Sequence, residues 1–131
     1  MYREALIQVV ARLIIETQTG KVQWKRRCFT DAERRHFRDI PYGGMVYSTE
    51  WEKCRLQLYR FKCPGPYPGE NTGTAAMQAD PDFLFKIAID IVDEKGEIEY
   101  ILEPVYAMTS LFKTVQALCS PSLKKIEALL Q

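Results

Sequence analysis

Residues 83–102 read FLFKIAIDIVDEKGEIEYIL, and this stretch decides the fold. Phe83, Phe85, Ile87, Ile89 and Ile91 alternate with Leu84, Lys86, Ala88, Asp90 and Val92. After Asp93-Glu94-Lys95-Gly96, a second alternation sets Ile98, Tyr100 and Leu102 against Glu97, Glu99 and Glu103. A period of two is that of a pleated strand, and a polar break containing glycine between two such runs predicts a β-hairpin. A slip of one residue would turn the apolar set to the wrong face. The pattern therefore predicts Ile89 beside Leu102 and Ile91 beside Tyr100, with Glu97, Glu99 and Glu103 in solvent.

Downstream of the hairpin the period changes. Met108, Leu111, Phe112, Val115, Leu118 and Cys119 recur at helical spacing, which predicts a helix from about residue 104 or 105 to 119. Ser120 is placed to cap a third helix, with Pro121 in the first turn where no amide donor is needed; Leu123, Ile126, Leu129 and Leu130 form its stripe. Upstream, Pro64 to Asp82 holds four prolines and three glycines and predicts a long loop. Met45 to Cys63 reads as strand split by Ser48-Thr49-Glu50, with Cys54, Leu56 and Leu58 facing opposite to Arg55, Gln57 and Tyr59. Residues 30–44 are charged and end in Pro41 and Gly43-Gly44, so they read as a loop with a helical turn at Asp31 to Arg35. Val22, Trp24 and Cys28 alternate with Gln23, Lys25 and Arg27 as a first strand. Leu6, Val9, Val10, Leu13, Ile14 and Thr17 mark an N-terminal helix from about residue 2 to 18, closed at Gly20. The expected class is α+β: an N-terminal helix, an antiparallel meander of about four strands, and one or two C-terminal helices.

The chain has 131 residues, 47% of them apolar and 27% charged, with a formal charge of +1. This composition suits one globular domain over residues 1–131 and excludes a disordered or collagen-like chain. Gln8 and Arg12 interrupt the first apolar run and no small-residue cleavage site follows, so a signal peptide is not expected; no run is long enough to cross a bilayer. A cytoplasmic protein without membrane attachment is the expectation. Four cysteines without a CxxC pair, Cys28, Cys54, Cys63 and Cys119, read as reduced, inert and buried.

Catalysis is not expected. His36 is the only imidazole, and it sits among Arg34, Arg35 and Arg38, whose charge opposes its protonation. A Cys28–His36 pair lacks a third orienting group, and Cys28, His36, Cys54 and Cys63 match no zinc-site spacing. The glycines form no phosphate-cradle motif, and the hairpin carboxylates suit a solvated face. Neither a cofactor nor a metal is expected.

Charge is unevenly placed. Residues 1–62 carry 13 Lys and Arg against 7 Asp and Glu, and residues 63–131 carry 5 against 10. A nucleic-acid interface would use Lys25, Arg27, Arg34, Arg35 and Arg38, interleaved with Trp24, Phe29 and Phe37. The acidic half is able to neutralise the basic half of the same molecule, which disfavours nucleic acid, and the same dipolar surface makes protein association the preferred reading. A protein partner would meet the loops carrying Arg34, Arg35, Phe37, Tyr42, Tyr67 and Pro68, where arginines adjoin rigid aromatic and proline residues. Pairing of an exposed strand with a second copy, giving a homodimer, stays open, since neither of the first two strands carries an evident block.

Leu13-Ile14-x-x-Thr17-x-x-Gly20-Lys21-x-x-Trp24, the run Ile89-x-Ile91-x-Asp93-x-x-Gly96, and Leu111-Phe112-x-x-Val115 before residues 120–130 together resemble a loose group of small uncharacterised bacterial and phage-associated proteins. The resemblance covers most of the chain and rests on packing and turn residues. It implies the same helix–meander–helix order and an accessory, immunity or defence-like setting, and transfers no catalytic residue. The 64–82 loop and the Arg34 to Arg38 segment depart from that group's shorter connections.

Overall fold

The computed structural model describes residues 3–67 and 84–130. Helix α1 (Arg3–Gln18) precedes strands β1 (Lys25–Cys28), β2 (Met45–Trp51), β3 (Cys54–Lys62), β4 (Phe85–Val92) and β5 (Ile98–Leu102), followed by helices α2 (Ala107–Leu118) and α3 (Pro121–Leu129). The strands lie in chain order in one antiparallel sheet, β1-β2-β3-β4-β5. This is the expected α+β class, with one strand more than expected.

The difference lies in where Met45 to Cys63 turns. Ser48, Thr49 and Glu50 stay inside β2, opposite Gln57, Leu56 and Arg55, and the Thr49 hydroxyl donates to the Gln23 carbonyl at 2.7 Å. The reversal falls at Glu52-Lys53, both left-handed (φ 50° and 65°), between the paired Trp51 and Cys54. A two-residue turn of that hand matches the twist of the strands it joins, although neither side chain advertises it. The hairpin of β4 and β5 has the predicted register, Ile89 with Leu102 and Ile91 with Tyr100, and Glu97, Glu99 and Glu103 are exposed.

One face of the sheet carries the helices. Leu6, Val10 and Leu13 of α1 and Met108, Leu111 and Val115 of α2 pack on Tyr47, Leu56, Leu58, Ile87, Ile89 and Leu102. At the corner between α1 and β1, Gly20 adopts φ +83°, and the Trp24 indole N–H donates to the Thr17 hydroxyl at 3.1 Å. A side chain at that φ would be strained, which explains glycine at this position. The other face is also covered: Val46, Tyr59, Phe61 and Ala88 form a second, smaller core with Phe37 from the segment between β1 and β2. Alternate residues of β3 and β4 therefore enter two different interiors.

Ser120 caps α3 as expected, accepting the Leu123 amide at 3.4 Å. None of the residues of α3 is buried, however, and Ile126 and Leu129 are 56% and 83% exposed. Its apolar stripe faces outward. The sheet edges are β1 and β5, so β2 is interior. Lys25, Arg26 and Arg27 make up most of the edge strand β1 and give it a repeated positive charge. Among the described residues no helix is long and apolar enough to cross a membrane.

Candidate interaction site

The segment from Phe29 to Gly44 crosses the second face of the sheet, and its own sequence holds it there. Asp31–His36 forms a 3-10 helix, at whose start the Thr30 amide donates to Glu33 Oε2 at 3.1 Å. Glu33 Oε1 in turn receives Arg27 Nη1 at 2.5 Å. Burial disfavours the Glu33 carboxylate, but the Arg27 and Thr30 contacts outweigh it and leave the pKa lowered. The far end is tied to the sheet: His36 Nδ1 lies 3.1 Å from the Gly96 carbonyl and 3.7 Å from Glu97 Oε1, while Gln57 Nε2 donates to the His36 carbonyl at 2.9 Å. Phe37 meets Phe29 and Tyr59 edge-on, each at 5.1 Å between centroids.

Beneath Phe37 lies a polar cluster inside the protein. Asp90 is fully buried, and the Tyr59 hydroxyl donates to its Oδ2 at 2.8 Å, with Gln57 Nε2 at 3.5 Å. Burial raises the Asp90 pKa against the lowering effects of Tyr59, Arg38 and Gln57. Burial, together with the Asp90 charge, pushes the Tyr59 phenol far up, so it remains a donor. No solvent reaches Asp90 or Tyr59. The Tyr59 hydroxyl also accepts the Asp39 amide at 3.5 Å, which ties the crossing segment to β3.

Above this layer is a surface cavity of about 380 Å³. Arg34, Arg38 and Lys62 supply its cations, Phe29, Phe37 and Phe61 its apolar wall, and Ile40 lies at it with 54% of its surface exposed. Arg38 is held in place, its guanidinium 5.5 Å from the centre of the Phe61 ring and its Nε 3.2 Å from Asp39 Oδ2. Among the described residues Asp39 is the only acidic one lining the cavity. Arg34 and Lys62 meet no carboxylate within ion-pair distance among the described residues. A wider cavity of about 890 Å³ between the β2–β3 and β4–β5 turns mixes Lys53, Arg55 and Lys95 with Glu50, Asp93, Glu94 and Glu99, so its charges largely cancel.

The residues expected at a partner surface are divided by the fold. Arg34 lies in the cavity, and Arg35 is exposed beside it in sequence, its Nε 3.5 Å from His36 Nε2. Tyr42 is 49% exposed, its ring stacked on Phe85 at 4.4 Å and under the Arg60 guanidinium. Phe37 is 8% exposed, because the second face of the sheet needs an apolar cover, and what remains accessible of it belongs to the cavity wall. Tyr67 is buried as well. β5 pairs with β4 only from Ile89 onward, and the Tyr67 hydroxyl accepts the Ile87 amide beyond that point at 3.2 Å while bonding to Thr109 Oγ1 at 3.1 Å. Pro68 lies outside the described residues, as does most of the 64–82 loop.

The nucleic-acid set is divided too. Arg34 and Arg38 share the cavity, Lys25 lines a different one with Lys21 and Gln23, and Arg27 is neutralised by Glu33 while lying over Phe37 at 5.7 Å. The acidic hairpin is remote from the basic strand β1, which lies at the opposite edge of the sheet, and it meets the basic segment at His36, beside Glu97. The arginines find carboxylates close in sequence, Arg27 with Glu33 and Arg38 with Asp39. Lys62 escaped the sequence reading. It ends β3, and only the position of the β2–β3 turn brings that end to the crossing segment.

The cysteines differ from expectation. Cys28, Cys54 and Cys63 are exposed because they stand at the ends of strands, and only Cys119 is partly buried, donating weakly to the Trp24 carbonyl at 3.5 Å. Burial pushes the Cys119 thiol pKa up. Among the described residues no group of three or more His, Cys, Asp and Glu is placed to hold a metal ion. Compared with known protein families, curated proteins and solved structures, the chain matches none.

Proposed function

We propose that this chain is a protein-association module that receives an acidic segment of its partner in the cavity of Arg34, Arg38 and Lys62. One observation carries the reading: cations from two separate parts of the chain converge on one concave site with a phenylalanine wall and a single opposing carboxylate. Such a site steers an acidic partner by long-range attraction and then seats it against apolar surface, to which the exposed Ile40 contributes. Tyr59, whose phenol the fold pushes far up, and Asp90 beside it are both sealed inside, which supports recognition over catalysis. The division of Lys25 and Arg27 from Arg34 and Arg38 favours a compact anionic anchor over a track of backbone phosphates.

The test is fluorescence polarisation with a labelled Asp/Glu-rich peptide against the native chain and the double variant Arg34→Glu, Lys62→Glu. Both residues are exposed and outside the two cores, so the variant folds. The native chain binds, binding weakens as salt rises from about 50 to about 300 mM, and the variant loses at least about tenfold in affinity. Equal binding by the two chains would remove the cavity from the reading. Tighter binding of a single-stranded oligonucleotide than of the peptide would replace it with nucleic-acid recognition.

A further inference from the structure

The cavity's charges go beyond a preference for acidic partners. Of its three cations, Arg38 already has Asp39 Oδ2 at 3.2 Å, while Arg34 and Lys62 have no carboxylate partner among the described residues. Two positive charges are therefore left over, and a single carboxylate would neutralise only one. A phosphoryl group carries about −1.5 to −2 at neutral pH and three acceptor oxygens, enough to engage a guanidinium and an ammonium together. The site is also organised in advance: Arg38 is stacked on Phe61, and the segment bearing Arg34 is fastened at one end through Arg27 and Glu33 and at the other through His36 and Gln57. Holding Arg38 and the backbone that carries Arg34 before binding reduces the part of the ordering cost that falls on them. The lysine-bearing cavity of Lys21 and Lys25 has no aromatic wall and no arginine stacked in place; its one arginine, Arg55, is 3.5 Å from Glu50. A cavity of about 380 Å³ falls within the range of ligand sites and takes a side chain with its terminal group.

We infer that the site formed by Arg34, Arg38 and Lys62 recognises a phosphorylated side chain of the partner protein, the phosphoryl group lying between Arg34 and Lys62 and the residue bearing it lying against Phe29 and Ile40. The inference rests on the acidic-segment reading above and makes it more specific.

The experiment compares one peptide frame carrying phosphoserine, phosphotyrosine, glutamate or serine at its centre, with a single-stranded DNA oligonucleotide as a further ligand. Polarisation titrations use the native chain and the single variant Lys62→Ala. At least one phosphopeptide binds about tenfold or more tightly than the glutamate peptide, and the serine peptide binds weakest. Lys62→Ala costs the phosphopeptide about fivefold or more and the glutamate peptide less than about twofold, because only the dianion uses both free cations. Equal affinities for phosphopeptide and glutamate peptide would overturn the phosphoryl inference and leave the acidic-segment reading standing. Absence of binding by both would remove the two together. Tightest binding by the oligonucleotide would overturn both in favour of nucleic acid.

Discussion

Asp90 shows how one residue changes meaning between strand and protein. In β4 it occupies a position that alternates with isoleucines, and yet it is fully buried, with the Tyr59 hydroxyl at 2.8 Å and Gln57 Nε2 at 3.5 Å. Burial raises its pKa above the ordinary 3.8, so the folded chain holds the proton more tightly than the unfolded chain does. The associated stability is complete below the unfolded value and is lost as pH rises through the higher folded pKa. Asp90→Asn keeps an amide oxygen for the Tyr59 hydroxyl and carries no charge at any pH. Relative to the native chain, the variant should therefore gain stability between about pH 4 and about pH 7, a difference read from urea midpoints at both values. A gap between the two chains that is the same at both pH values would show that the Asp90 charge is not penalised.

Among the elements, α3 separates local from global stability. Its cap was legible in the sequence because Ser120-Pro121 encodes it within two residues, and the Ser120 hydroxyl accepts the Leu123 amide. Its environment was not legible, since an apolar stripe at helical spacing reads the same whether or not another element covers it. With no residue of α3 buried, and nine residues too few for a stable isolated helix, α3 is the element least tied to the cores. Ser120→Ala should lower the protection of α3 amides from hydrogen exchange by about 0.5–2 kcal/mol and leave the global denaturation midpoint nearly unchanged. A global loss of the same size would mean that α3 unfolds with the sheet. The β2–β3 turn is the contrary case. Glu52 and Lys53 adopt left-handed backbone without glycine or asparagine, so the sequence pointed to the more turn-like Ser48-Thr49-Glu50 instead.

At the scale of the molecule, the described residues form one sheet between two unequal layers, helices on one face and an irregular segment on the other. Phe37 is the main apolar contribution of that segment, with Phe29 packed beside it, and its truncation tests whether the thin layer is structural. Phe37→Ala should cost about 3–5 kcal/mol, as for a phenylalanine in a regular core, and should abolish peptide binding at the Arg34 cavity even where enough native chain remains folded. A cost below about 1 kcal/mol in denaturant titration would make the cover dispensable. By itself the sequence determined the α+β class, the helices and the β4–β5 register, because a period of two or of 3.6 is written in neighbouring residues and a slip by one residue would expose the apolar set. Only the tertiary structure decided that β3 and β4 are buried on both faces, that Phe37 and Tyr67 turn inward, and that Lys62 lines one cavity with Arg34 and Arg38. Those outcomes depend on contacts such as His36 with Gly96, 60 residues apart, whose energy is a property of the assembled surfaces and leaves no periodic trace along the chain.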